Sequence, residues 1–301
     1  MNVLVIYNKK AGGGKAANHV EEINNSFLKY NINAEINFTK HIGHAIEIVK
    51  EADLTKFNSI ITVGGDGTFY ESLNGYFQNK NRVDINFGVL PIGTGNSLSR
   101  DIYDKEYSLD EYVEIISKSK TKPFDIAKFT SEGKEMYYAN TLGFGFTSDV
   151  VVTASKFKFL GKFAYTIGVL YRTLMLSTYK MKLTADGETY DMENVLVAIS
   201  NSKYTGGNYL MAPDAKINDG KLDLIILNKL GRINLLKTFT KIFSGEHVKT
   251  EFVKTMQAKN ITIETSKPKI LSPDGELIGK TPFSIECIKG GINMITNLYK
   301  Q

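Results

Sequence analysis

Cysteine is nearly absent, with one residue, Cys287, in a chain of 301. An internal disulfide is thereby excluded, which fits a reducing compartment. Long apolar runs are also absent, none approaching the roughly 18 uninterrupted residues that a membrane-spanning helix needs. Basic runs are sparse. Lys and Arg number 37 against 32 Asp and Glu, a net charge of +5. That balance suits an anionic ligand or a membrane surface but lacks the density of a nucleic-acid binder. The opening MNVLVIYNKK places apolar residues before lysines, the reverse of a secretory signal, so a cytoplasmic location is expected. Internal repeats, low-complexity linkers and coiled-coil heptads are missing too. What is present is 42% hydrophobic and 23% charged, which excludes wholesale disorder, and the length suits one large or two ordinary domains.

The first third alternates strand and helix patterns. Asn2–Tyr7 is an apolar, β-rich run, followed by a helical pattern with Val20, Ile23, Phe27 and Leu28 at helix spacing. Ala34–Thr39 reads as a second strand, Ala45–Ala52 as a short helix, Ser59–Val63 as a third strand and Phe87–Pro91 as a fourth. Continuous apolar strands separated by helices predict a parallel sheet covered on both faces, with ligands at the carboxyl ends of its strands. After about Pro123 alternating segments dominate: Asp125–Thr130, Met136–Thr141, Lys180–Thr184, Val195–Ser200, Leu222–Leu227, Ile261–Glu264 and Phe283–Ile288. Asp-Gly pairs at 186, 219 and 274 punctuate them as turn signals, and helical patterns interrupt at about Gly161–Tyr179 and Ile233–Phe243. The second part therefore reads as a mostly antiparallel sandwich or barrel.

Glycines cluster where the strands of the first part end, in Asn8–Lys15 (NKKAGGGK), Gly64–Thr68 (GGDGT) and Pro91–Asn96 (PIGTGN). Glycine lets backbone N–H groups approach a ligand, and successive N–H groups before a helix make an anion-binding concavity. One such loop is often only a turn; the recurrence at three strand exits points to a phosphate ligand. A P-loop does not fit, because Ala16 follows Gly14-Lys15 and Lys9 stands where the first glycine is required. Gly12-x-Gly14-x-x-Ala17 with Glu35 satisfies the dinucleotide fingerprint, but four residues separate the strand from Gly12 where that fingerprint wants a tight turn. Asp66, set among glycines, suits phosphoryl transfer if Mg²⁺ lies between it and a phosphate or if it accepts a proton from a nucleophile. A helix cap near Thr68 is the plain alternative.

These motifs, in this order, resemble the lipid kinase superfamily of bacterial diacylglycerol kinases, sphingosine kinases and ceramide kinases. Gly64–Thr68 with Glu71, Asn74 and Gly75 resembles its nucleotide loop, and Pro91–Asn96 with Arg100 its second signature. Thr39 with Gly43-His44-Ala45, Pro123–Ile126, Asn201–Gly207 with Ala212-Pro213, Asp219–Asp223, and Asp274-Gly275-Glu276 with Pro282 extend the likeness over nearly the whole chain. Departures are the missing Pro or Ser in the first loop, Tyr70 where Asn or His is common, and Ser97 in place of an Asp. The resemblance implies transfer of the ATP γ-phosphate to a lipid hydroxyl, with ATP and Mg²⁺ as cofactors. Asn8, Gly12, Thr39, Gly64, Gly65, Asp66, Gly67, Thr68, Glu71, Thr94 and Asn96 would bind the nucleotide. Asp66 and Glu276 are both candidate bases, Glu276 by likeness to the bacterial enzymes and Asp66 by likeness to sphingosine kinases. Asp125 and Asp274 would support the Mg²⁺ network. Asp219, with main-chain oxygens of Lys216 and Lys221, resembles a second, structural metal site. For both Asp-Gly pairs a plain hairpin turn is the alternative.

The segment from Phe144 through Tyr165 looks closer to sphingosine kinases than to diacylglycerol kinases. Asp149 falls where an acidic residue meets the sphingoid amine; a helix-start Asp is the alternative. The 161–179 pattern places Phe163, Ile167, Leu170, Tyr171 and Leu174 on one side, after Lys156, Lys158 and Lys162. That stripe has three readings, a lipid-tail wall, a membrane contact or ordinary core, and Lys158 and Lys162 have a further one as contacts to ATP phosphates. His19, His41 and His247 show no zinc spacing beyond His41-x-x-His44, and Cys287 reads as a packed strand residue. The expected architecture is an α/β nucleotide-binding domain over 1–123, joined by about 291–301, and a β-sandwich acceptor domain with inserted helices over 124–290. ATP·Mg²⁺ is expected between them, with peripheral contact to the inner membrane surface, no nucleic acid, and an open oligomeric state that admits a homodimer. Two rival readings stand beside the lipid kinase: an NAD kinase sharing the GGDGT loop, and a non-catalytic lipid- or nucleotide-binding module.

Overall fold

The computed structural model describes residues 1–156 and 163–298. The chain forms two compact units, one of Met1–Ile126 with the chain from Lys289 onward, the other of Ala127–Ile288.

The first unit runs β1 (Asn2–Tyr7), α1 (Val20–Lys29), β2 (Asn33–Phe38), α2 (His44–Glu51), β3 (Ser59–Gly64), α3 (Asp66–Gln78), β4 (Asn86–Pro91), α4 (Ser99–Ile102), α5 (Leu109–Ser117) and the start of β5 (Thr121–Ser131). Strands pair in parallel in the order β2-β1-β3-β4, with Asn293 and Met294 beside β4. Strands β1 and β3 are buried almost end to end, as expected of parallel strands covered on both faces. Strand β2 lies at the edge and keeps polar positions. Phe87 is fully buried, its ring 5.9 Å from Phe69 and 5.1 Å from Tyr76 in edge-on contacts that seat α3 on the sheet. Asp110 ties α5 to the end of α1, accepting from Ser26 Oγ (2.9 Å), Lys29 Nζ (2.6 Å) and Tyr30 Oη (3.0 Å). The chain leaves β1 toward β2 on one side while β3 lies on the other. The exits of β1 and β3 thus flank the point where strand order reverses, the crevice in which open α/β sheets bind ligands.

The second unit continues with β6 (Lys134–Tyr138), β7 (Thr141–Gly145), α6 (Phe146–Lys156), α7 (Phe163–Leu174), β8 (Tyr179–Ala185), β9 (Glu188–Ser200), the short pair β10 (Tyr204–Thr205) and β11 (Tyr209–Leu210), β12 (Leu222–Asn228), α8 (Arg232–Thr240), β13 (Val253–Ala258), β14 (Asn260–Thr265), β15 (Leu271–Pro273) and β16 (Phe283–Ile295), which carries the chain back into the first unit. The pairs β5–β6, β7–β9, β7–β15, β8–β9, β8–β14, β9–β12, β10–β11, β12–β13 and β14–β16 are all antiparallel. Strand β9 organises it. Its first half pairs with β8, its second half with β7, and β12 lies along its other edge, so one long strand serves both layers of a sandwich. Asp186-Gly187 forms the two-residue β8–β9 hairpin loop with φ of 47° and 93°, the left-handed pair such a tight loop requires.

Three expectations are corrected. Met136–Thr141 is two strands rather than one, because the amides of Ala139, Asn140 and Thr141 turn to the Asp274 carboxylate and cannot continue a ladder. The 161–179 helix ends at Leu174, and Tyr179 opens a strand. Third, of the three readings of the apolar stripe on that helix, ordinary core does not hold for Leu170, Tyr171 and Leu174, which face solvent. Cys287 is buried in β16, as read from the sequence. Replacing Phe87 by Ala should destabilise the first unit by about 3–5 kcal/mol, measured by urea unfolding, since it leaves a ring-sized cavity between α3 and the sheet.

Candidate active site

The three glycine loops of the first unit come together by contacts that leave no room for side chains. A Cβ on Gly93 would stand 2.3 Å from the Gly65 Cα, and one on Gly12 would stand 2.5 Å from the Ile92 carbonyl oxygen. Gly12, Gly13 and Gly14 all lie in the left-handed region, at φ 61°, 70° and 92°, which turns the first loop back over the β1 exit. Tyr7 anchors this loop from below. Its hydroxyl donates to the Ala16 carbonyl at 2.7 Å, and burial pushes the phenol up to about 12. Asn8 links the first loop to the second, its amide nitrogen donating to Thr68 Oγ1 at 3.3 Å while its Oδ1 accepts from Lys10 N–H. Asn96 folds the third loop on itself, accepting from Gly93 N–H at 2.8 Å and donating to the Pro91 and Gly93 carbonyls.

Asp66 stands at the start of α3, whose N-cap residue is Gly65. Its carboxylate does not cap its own helix. Instead Oδ2 accepts from Ser97 N–H (2.9 Å) and Oδ1 from Leu98 N–H (3.2 Å), so it closes the second loop onto the third. Each of its oxygens thus receives an amide proton. The first amides of a helix lack partners within it and carry the positive end of its dipole. Gly65, Asp66 and Gly67 remain partly accessible there, Thr94 is exposed at the tip of the third loop, and Thr39 is half-buried with its N–H on the Tyr7 carbonyl. Lys10, Lys15 and Lys40 are exposed around the β1 and β2 exits, and the Lys9 ammonium sits 3.8 Å above the Phe38 ring. The combination of loop amides, a helix start and lysines suits a polyphosphate. Glu71 is placed differently from the expectation of a nucleotide contact. Its two oxygens accept from Gly43 and Ala45 N–H (2.7 and 3.2 Å) and so hold the start of α2.

His41, His44 and Glu47 bring ligand atoms within 4.8 Å of one another. However, His44 Nδ1 accepts from Lys40 N–H at 3.2 Å, which in the neutral ring puts the proton on Nε2 and sets that nitrogen to donate. Asp125 is fully buried and accepts from Gly290 N–H at 2.7 Å.

In the second unit two motifs converge on residues 139–141. Asp274, in a left-handed turn with Gly275 (φ 45° and 91°), takes the amides of Ala139, Asn140 and Thr141 at 2.9–3.0 Å. Asn201 Nδ2 donates to the Ala139 carbonyl at 2.9 Å, and Ser202 Oγ to Asn140 Oδ1 at 3.1 Å. Glu276 follows the turn, half-buried, its N–H on the Pro273 carbonyl. Asp149 lies in the first turn of α6 and is half-buried; its carbonyl accepts from Arg172 Nε, and its charge helps burial raise the neighbouring Tyr179 phenol. Ile167 is half-buried on α7. Lys158 and Lys162 lie outside the described residues, as do the side chains of Lys156 and Phe163.

Asp219 Oδ1 accepts from Lys221 N–H at 2.9 Å. Two positions on, Asp223 is buried in β12 with Oδ2 lacking any partner, while Oδ1 takes Gln257 Nε2 at 3.1 Å. Burial, then the charges of Asp219 and Asp214, raise the Asp223 carboxyl to about 6 against the opposing Gln257 hydrogen bond. Asp223 Oδ2 is thus a buried carboxylate oxygen without a hydrogen-bond partner, within the electrostatic reach of Asp219 and Asp214. Asp223 received no role from the sequence, although a lone acid inside the apolar strand LDLIIL was the available signal. The roles of the Ser97 and Leu98 amides carried no signal at all, being main chain.

Comparisons with known proteins agree with this geometry. Residues 2–129 match the diacylglycerol kinase catalytic domain, and residues 140–296 match the YegS C-terminal NAD kinase beta sandwich-like domain. A solved structure of a Bacillus anthracis str. Sterne protein, provisionally described as a diacylglycerol kinase, superposes with a TM-score of 0.82 at 31% identity over 98% of this chain and 95% of that one. The diacylglycerol kinase of Bacillus subtilis is 28% identical over 92% of this chain and 90% of its own length. Sphingosine kinase 1 of Arabidopsis thaliana is 26% identical over 94% of this chain and 70% of its own. The chain belongs to the family of lipid kinases that couple a diacylglycerol kinase catalytic domain to a YegS-type β-sandwich.

Proposed function

We propose that this chain transfers the γ-phosphate of ATP, with Mg²⁺, to a hydroxyl of a membrane lipid, either diacylglycerol or a sphingoid base. The observation that carries this reading is the closure of three glycine loops around the start of α3, held by Asp66 on the Ser97 and Leu98 amides. In this reading the loop amides and the α3 start bind the phosphates, with lysines around the rim. Bound Mg²⁺ would neutralise charge developing on the phosphoryl oxygens. Asp125 and Asp274 support its network, each with a carboxylate fixed by backbone amides.

Glu276 is assigned as the base by the likeness of Asp274-Gly275-Glu276 to the bacterial enzymes. Asp66 and Asp274 hold main-chain amides, two and three respectively. Glu276, presented after the Asp274-Gly275 turn, takes the proton of the acceptor hydroxyl as the phosphoryl group arrives. Asp149 is the feature that would distinguish acceptors, since a carboxylate pairs with an ammonium and has no such use against a neutral lipid. NAD stays in view as a third acceptor because the matched sandwich domain is described as NAD kinase-like.

Labelled ATP with Mg²⁺ is offered to detergent-dispersed diacylglycerol and sphingosine, with NAD in parallel. Label is expected in a lipid product. Glu276→Gln should lower kcat by about 10²–10⁴-fold with KM nearly unchanged. Label in NAD alone would overturn the lipid reading, and a fully active Glu276→Gln would overturn the assignment of the base.

We further assign Asp219 and Asp223, with the main-chain oxygens of Lys216 and Lys221, to a structural divalent cation. The folded-state carboxyl of Asp223 is raised, to about 6, so without a cation the folded state pays a charge penalty. That penalty is absent below about pH 4, grows through about pH 4–6 and is full above it. In chelator at pH 7.5, Asp223→Asn should therefore be more stable than wild type, on the order of 2 kcal/mol, with no difference near pH 4. Millimolar Mg²⁺ or Ca²⁺ should reverse the order at pH 7.5 by stabilising only the wild type, as read by thermal unfolding.

A further inference from the structure

Seven of the eleven large apolar side chains exposed among the described residues fall on two helices of the second unit and the turn after them. On α7 and its last turn these are Leu170, Tyr171, Leu174 and Met175, at 46–68% exposure. On α8 and beyond they are Ile233, Leu236 and Phe243, at 71%, 39% and 55%. Both helices already spend their other face on the core. Val169 and Thr173 of α7, and Leu235, Thr238 and Ile242 in and after α8, are buried. A helix apolar on both faces has a second apolar surface to satisfy. The two stripes meet, because Arg232 Nε at the start of α8 donates to the Leu174 carbonyl at 3.2 Å.

Charge identifies the occupant. Residues 163–178 and 229–245 contain no Asp or Glu. Along α8 the apolar stripe of Ile233 and Leu236 is flanked by exposed Arg232 on one side and by exposed Lys237 and Lys241 on the other. Lys229, further back, is paired with Glu193. An apolar stripe edged by cations is how an interfacial helix meets anionic headgroups, burying its apolar side chains among the acyl chains. A second copy of the chain fits less well, since a two-fold contact through this face would set the same cations against each other with no acid between them.

We infer that the α7–α8 surface docks this protein onto an anionic bilayer, the phase from which its lipid acceptor is taken. The inference rests on the lipid-kinase reading for its purpose but not for its test. Co-sedimentation is measured with phosphatidylglycerol-rich vesicles and with phosphatidylcholine vesicles, for wild type and for the triple variant Leu174→Ser, Ile233→Ser, Leu236→Ser, which leaves Phe243 on the Tyr209 ring. Wild type should bind the anionic vesicles with affinity that falls as salt rises, and the triple variant should lose about tenfold or more. Its circular dichroism, its thermal midpoint and its activity on detergent-dispersed acceptor should be unchanged. Equal vesicle binding by the variant, or no binding by the wild type, overturns the inference. So does a wild-type dimer that the variant converts to monomer, which would assign the surface to a second copy. Vesicle binding without any lipid phosphorylation would instead sink the kinase reading and leave the docking surface standing.

Discussion

The close approach of Gly65 to Gly93 is the constraint on which the rest of the first unit depends. Three loops that leave three different strands can share one concavity only if their main chains touch, and main chains touch only where Cβ atoms are missing. Asp66 then pins the arrangement by taking two amides from the far loop, and Asn8 ties in the third through Thr68. The location follows from topology. The β1 and β3 exits flank the reversal of strand order, and the loops that leave those strands carry the glycines.

The second unit uses the same device. Asp274 gathers three successive amides at 139–141, and Asn201 and Ser202 close on that segment from the other side. In both units, therefore, an acid from a signature motif shapes a backbone. Asp66 and Asp274, two acids that look reactive in the sequence, both hold main-chain amides of a neighbouring segment.

Strands β1, β3 and β4 and helices α1 and α2 were legible because continuous apolar runs and helical spacing were not in conflict with anything distant. The split at Ala139 and Asn140 was not legible. It depends on a carboxylate more than a hundred positions later, and local alternation gives no sign of it. The stripe on α7 was legible as a stripe, but periodicity cannot say whether an apolar face looks inward or outward. Its partner on α8 is equally two-faced, which makes the outward orientation visible only in three dimensions. That the glycine loops gather at the strand ends was readable from their positions. What holds them together is main-chain amides on carboxylates, which leave no trace in residue identity. Glu71 illustrates the same limit, since a residue in the nucleotide motif turns out to cap α2.

Nucleotide binding by a chain whose loops can no longer touch is the most direct test of the loop contact. In Gly93→Ala the new methyl would lie 2.3 Å from the Gly65 Cα, a clash with main chain that only separation of the loops relieves. Equilibrium dialysis with labelled ATP and Mg²⁺ should show affinity reduced about tenfold or more, in a protein whose circular dichroism shows it folded. A folded Gly93→Ala protein that binds ATP as tightly as wild type would contradict the claim that contact between these loops builds the phosphate site.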